Sequence, residues 1–326
     1  MEILGLAFFQ RALIAALLSG LLAPSVGTYI VQKRLSLLGD GLGHVAIMGV
    51  GLALLTGQEP LPVAVVTAVL GAVIVELLRQ SGKASGDLGL AILFYGGLAA
   101  GVLMAGVAGQ GAAGLSAFLF GSLTSVTGQD IIMIVILAVL MLAGTVGLMP
   151  RLFAVSVDEN HAKVLGLKVR LLNLLIVVLA AVAVTISMRT VGLLLISALM
   201  IIPVATAQQL FVSFKGAFFG SMGIGMLAAV TGTFASFFFD TATGATIVVT
   251  AIVFLGIAWG LGKFVKRPDR FIPYIEDHGQ YPHLKAEPHP HNHPVRGAKI
   301  IQHGDHYDYV HDGHRHAIHG DHYDEH

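Results

Sequence analysis

Asp40 and His44 are the two residues most able to do chemistry inside the apolar part of this chain. They are four positions apart, so on a helix they share one face with Cβ atoms about 5–6 Å apart. A carboxylate and an imidazole at that spacing can bridge one divalent cation. The plainer alternative is a hydrogen-bonded Asp–His pair that only ties helices together. An ionisable residue at the bilayer centre costs about 2.5–3.5 kcal/mol on insertion scales. Two on one face therefore imply a compensating partner or a water-filled path.

A second set of ligand-type side chains lies at the C-terminus. His303-Gly304-Asp305-His306-Tyr307-Asp308 recurs sixteen residues on as His319-Gly320-Asp321-His322-Tyr323-Asp324, with His311, His314 and His316 between them. Histidines alternating with Asp at short spacing make a flexible, low-affinity, many-site chelator, here expected to be disordered without metal. A merely solubilising tail is the alternative. The chain has no cysteine, so any metal chemistry uses nitrogen and oxygen ligands.

Residues 150–170 form the most informative loop. Asp158 and Glu159 open a short amphipathic helix, Ala162 and Leu165 fall on one side, and Gly166 stops it. A solvated connector would read similarly. An isolated polar helix between apolar spans is what docking into a soluble partner requires, and Asp158, Glu159, Ala162 and Gly166 are the candidate contacts. Two enzymatic readings are excluded by sequence. Gly82-Lys83 and Gly262-Lys263 lack the upstream Gly and following Ser/Thr of a Walker A loop, and no His-Glu-x-x-His occurs.

The elements that must position these residues are membrane helices. Of 326 residues, 55% are hydrophobic and 12% charged, about half the charged share of a soluble domain. The expected fold is all-α, a polytopic bundle of 8–9 transmembrane helices with a disordered His-rich tail. Apolar runs suited to a hydrocarbon core about 30 Å thick fall near 5–31, 38–57, 61–79, 88–108, 130–149, 171–188, 191–209, 216–238 and 245–265. Asp40 with His44 interrupts the second run and Pro203 the seventh. Glu2 precedes the first run and no basic segment does, so that run reads as an uncleaved span.

Charge sets the orientation. Residues 1–277 hold 15 Lys and Arg, and an outside N-terminus puts 13 of them on the cytoplasmic side, with Arg11 and Arg189 opposed. The tail is then cytoplasmic. It carries 13 of the 15 histidines and a net charge of −3 over 278–326. The expected division is 1–267 as the membrane domain and 268–326 as the tail.

The run Ser36 to Ala46, with Gly39-Asp40 and His44, resembles the signature of the membrane permease of bacterial ABC importers for zinc, manganese and iron. Three more stretches are similar to that family in its order: Asp158 to Gly166 to its coupling loop, Thr190 to Ala207 to its late apolar segment, and Asp240 to Ile247 to its last loop. The chain departs from the family in having Gly43 in place of a serine, Ser85-Gly86-Asp87 in place of an acidic pair, and the long histidine tail. The resemblance implies a permease in the bacterial cytoplasmic (inner) membrane, working with ABC ATPase subunits and an extracytoplasmic metal-binding protein. No permanently bound cofactor and no nucleic acid is implied; lipid surrounds the chain. Two protein ligands are too few for zinc, which takes four. A homodimer with Asp40 and His44 near its axis would supply two imidazoles and two carboxylates, and Gly39 and Gly43 would allow close helix approach there. Zn2+ is the favoured cargo because of the tail, with Mn2+ or Fe2+ compatible. A gradient-driven secondary transporter, or a membrane-anchored metal buffer or sensor, are the rival functions.

Overall fold

The computed structural model describes residues 6–81, 86–111, 113–122, 126–189 and 191–262, and in the tail 299–303, 306–311, 314–319 and 322–325. Two compact units separate at the end of the last apolar run, Met1–Lys266 and Arg267–His326.

Among the described residues, the elements of the first unit are all helices. Its elements are α1 (Ala7–Gln32), α2 (Leu38–Thr56), α3 (Pro60–Gln80), α4 (Gly86–Val107), α5 (Ala113–Phe120), α6 (Gly128–Gly147), α7 (Met149–Val157), α8 (Glu159–Val164), α9 (Val169–Ser187), α10 (Leu193–Leu210), α11 (Phe214–Phe239) and α12 (Thr243–Gly262). Among the described residues seven helices are long and apolar enough to cross a membrane, and α4 and α10 contribute shorter apolar stretches, 91–107 and 195–210. The nine apolar runs of the sequence each correspond to one helix. The eight-residue α5 and the nine-residue α7 are elements the sequence did not suggest, being too short to carry a period of their own.

Burial sorts the helices into a centre and a shell. In α1, α2 and α9 72% of the apolar window is buried, against 28% in α6 and α12. The shell helices turn apolar residues outward: Val66, Leu70, Ile74 and Leu77 line one face of α3, and Ile132, Val135, Ile136 and Val139 that of α6. In a membrane these faces meet lipid, which is as apolar as they are.

Small residues set how closely the central helices approach. A Cβ on Gly20 or Gly225 would strike the other's backbone, bringing α1 against α11, and one on Gly27 would strike Met200 of α10. Gly39 and Gly43 meet Ser197 and Leu193, so α2 runs antiparallel to α10. The expected glycine face at a subunit axis is thus corrected: its spacing does serve a close helix contact, but within one chain.

The second unit contains four strands among its described residues: β1 (Lys299–His303), β2 (His306–His311), β3 (His314–His319) and β4 (His322–Glu325). They pair antiparallel in the order β1-β2-β3-β4. The two-residue connections, each one Gly and one Asp, are hairpin signals, and Tyr307, Tyr309, Val310 and Ile318 suit strands.

Candidate metal site

His44 sits in the second turn of α2 and is 5% exposed. Its Nδ1 lies 2.7 Å from the Asp40 carbonyl oxygen. A carbonyl only accepts, so Nδ1 carries the proton and donates. That tautomer leaves the Nε2 lone pair free for an electrophile, the arrangement usual for a metal-ligating histidine oriented by a backbone carbonyl. The ring also stacks on Phe94 of α4, with centroids 3.9 Å apart and planes tilted by 38°. Gly97, one turn further along α4, is what lets that helix reach the backbone of His44; a Cβ there would sit 2.8 Å from its carbonyl oxygen.

Asp40 is half-buried one turn before His44. The His–Asp bond uses the Asp40 backbone and not its carboxylate, so the two side chains do not form a closed ion pair. Among the described residues no group of three or more His, Cys, Asp or Glu gathers at one point, so this chain offers two ligands here.

At one end of the bundle a polar network ties α8 to three other helices. Lys33, just past α1, donates to Glu159 Oε1 at 2.6 Å and to Asn173 Oδ1 of α9 at 2.9 Å. Asn173 Nδ2 returns to the same Glu159 oxygen at 3.0 Å. Arg79 of α3 lies 3.9 Å from it and grips buried Glu76 through two bonds of 2.8 and 2.9 Å. Burial alone would raise the Glu159 pKa, but Lys33, Asn173 and Arg79 together hold it below its ordinary value. Asp158 caps α8, accepting from the backbone N–H groups of His161 and Asn160, and these bonds hold its carboxyl below the usual range. Ala162 is fully buried and Gly166 takes a left-handed φ of 73° that ends the segment.

The four residues singled out in this segment therefore build and anchor it. Ala162 does not share an outward side with Leu165, since it packs inward. The apolar residues turned to solvent are Val164 and Leu165, 85% and 58% exposed.

A buried ion pair was not expected from the sequence. Arg189 NH1 donates to Asp130 Oδ2 at 2.8 Å, with both side chains under 10% exposed, and its guanidinium lies 5.2 Å from the centre of the Phe118 ring. Asp130 also accepts from the Thr127 backbone N–H and hydroxyl, while its own N–H returns to that hydroxyl, a capping box that starts α6. Two signals were present: Thr127 three residues before Asp130, and Arg189 standing against the charge rule. The Asp130 carboxylate neutralises the Arg189 charge locally.

In the tail, His303 is register partner to His306, His311 to His314, and His319 to His322. His316 stands opposite Tyr309 and Glu325. Asp305 and Asp321 lie outside the described residues.

Apolar helices of membrane length packed around an ionisable pair, with a polar helix anchored at one end, are the build of a polytopic membrane permease. The chain belongs to the ABC 3 transport family, which its residues 6–260 match. It is 31% identical over 252 residues to the manganese import system permease protein ScaB of Streptococcus parasanguinis, covering 77% of this chain and 90% of that one. Over 238 residues it is 28% identical to the high-affinity zinc uptake system membrane protein ZnuB of Haemophilus influenzae, covering 73% and 91%. The structure of PsaBC from Streptococcus pneumoniae in complex with Fab contains a chain 33% identical, with a TM-score of 0.71 over 79% of this chain and 93% of that one. The chain is thus the permease subunit of an ABC-type metal importer, and ATP hydrolysis falls to a partner protein.

Proposed function

We propose that a divalent ion passes through a homodimeric pore in the bacterial cytoplasmic membrane and is held in transit by the Asp40 carboxylate and His44 Nε2 of both copies. The observation that carries this is the Nδ1 bond to the Asp40 backbone, which leaves the carboxylate and Nε2 open together. Two copies supply the four ligands that one lacks. Ligation by nitrogen and oxygen without thiolate also allows release, which transport requires as much as capture.

Zinc is the proposed cargo, with manganese next. Relatives named for manganese and for zinc resemble the chain to similar degrees, and the histidine-rich tail favours zinc. An extracytoplasmic metal-binding protein delivers the ion, and cytoplasmic ABC ATPase subunits seat against α8 through Val164 and Leu165. The tail lies on the cytoplasmic side, the side that the distribution of basic residues favours, and meets the ion after crossing.

Metal uptake by cells carrying His44→Gln or Asp40→Asn, with zinc and manganese offered in competition, tests the reading. Loss of uptake in both variants at normal membrane insertion, and zinc outcompeting manganese in the parent, are expected. Normal uptake in both variants would remove the site, and manganese preference would reverse the cargo.

A further inference from the structure

Buried hydroxyl side chains in the bundle share a habit. Ser25, Thr28, Thr145, Thr185 and Ser221 each donate to a carbonyl three or four residues back in their own helix. Thr206 of α10 does the same. Ser197, on that same helix, does not. It is 6% exposed, and its Oγ has no hydrogen-bond partner among the described residues. A hydroxyl taken out of water and left unpaired costs stability, so such a group in a folded chain calls for an explanation.

Its place in the fold supplies one. Leu193 and Ser197 are four apart on α10 and share a face, and that face meets Gly43 and Gly39 of α2. A Cβ on Gly43 would strike Leu193, and a Cβ on Gly39 would sit 2.8 Å from Ser197 Oγ. Each glycine immediately precedes a residue of the candidate metal site: Gly43 precedes His44, and Gly39 precedes Asp40. An apolar side chain thus stands beside the imidazole and a hydroxyl beside the carboxylate. Consecutive Cα atoms are about 3.8 Å apart, so a hydroxyl this close to Gly39 is within reach of a carboxylate on the next residue. Packing against Gly39 needs only a small side chain, and alanine would meet that need without burying a polar atom.

On the reading of Asp40 and His44 as the ion site, we propose that Ser197 is a positioning residue of that site. Its hydroxyl turns to donate to the Asp40 carboxylate when that group takes the divalent ion, and so fixes the oxygen that ligates. A hydroxyl not committed to its own helix gives up no bond in doing this. Ligating carboxylates are ordinarily hydrogen-bonded in turn, and loss of such an outer partner weakens metal binding by about 10–100-fold. The Nδ1 bond orients His44 from within α2; Ser197 does the corresponding task for Asp40 from α10.

Zinc titration of the full-length permease with its ATPase in detergent tests this, with Asp40→Asn as the blank for zinc held elsewhere in the chain. The difference between parent and blank reports the membrane site. Ser197→Ala is expected to weaken half-saturation of that site by about 10–100-fold. Its thermal unfolding midpoint should be equal to the parent's or higher, since the group removed had no partner. A double variant separates hydrogen bonding from packing. Gly39→Ala places a methyl where Ser197 Oγ obstructs it, and once that oxygen is gone the nearest atom is Met200 Sδ at 3.4 Å. Gly39→Ala with Ser197→Ala therefore restores the contact but not the donor, and should bind as weakly as Ser197→Ala alone. Recovery of parental affinity in the double variant, or a lowered midpoint in Ser197→Ala, would make the role one of packing and overturn the proposal. Parental binding by Ser197→Ala, with parent and blank well separated, would overturn it and leave the Asp40–His44 site standing. Coincident parent and blank curves would remove both.

Discussion

A histidine in a membrane helix has two nitrogens to account for, and His44 accounts for one within its own helix. The bond to the Asp40 carbonyl fixes the ring, Phe94 closes over one side, and what remains is an oriented lone pair. The support for that geometry is testable one atom at a time. Gly97→Ala puts a methyl against the His44 carbonyl, whereas Gly96 has open space where its Cβ would go. Transport should therefore drop sharply for Gly97→Ala and stay near the parent for Gly96→Ala; equal effects would detach α4 from the site. The Asp130–Arg189 pair gives a second residue-scale expectation. Removing one partner leaves an uncompensated buried charge, worth about 3–5 kcal/mol, while replacing both by apolar residues costs much less. Thermal unfolding of Arg189→Met, Asp130→Leu and the double variant should show that non-additivity, and simple additivity would mean the pair is not coupled. Asp40 and His44 were legible from residue type and spacing. Phe94, Gly97 and Arg189 gained their meaning only from neighbours far along the chain, which no local pattern encodes.

Among the elements, α8 is the one whose sequence reading needed most revision. Its acidic start and glycine stop were visible, but which side turns inward depends on α7 and α9, and the structure puts Ala162 in and Val164 and Leu165 out. Leu165→Asp should therefore weaken co-purification of the ATPase with little loss of stability, while Ala162→Asp should damage folding itself. The reverse pattern would move the contact off this segment. The Lys33–Glu159 tie should hold at constant strength through neutral pH. A carboxylate whose folded pKa is depressed contributes stability above its unfolded pKa, ordinarily 4.5 here, and loses it only as pH falls through the lower folded value. The nine apolar runs were readable because membrane helices need long uninterrupted hydrophobic stretches. The short tail strands carry only a weak signal, because four to six residues rich in His and Asp give little strand periodicity.

For the whole molecule, the chain separates into two units, and the proposed function gives them two different tasks. The proposed ion path, the anchored α8 and the buried ion pair all lie in the first unit, so truncation after residue 266 should leave ATP-driven uptake in place while altering its response to high internal zinc. Total loss of uptake in a well-inserted truncation would tie the tail to translocation itself. The central claim is that ATP hydrolysis by a partner drives an ion past Asp40 and His44. Its most direct test is uptake of zinc into vesicles holding this chain with its ATPase and feeder protein, with ATP hydrolysis recorded in the same sample. The account predicts that uptake requires ATP, and that His44→Ala stops it in complexes that still assemble and hydrolyse ATP. Uptake by His44→Ala equal to the parent, or uptake that proceeds without ATP, would contradict it.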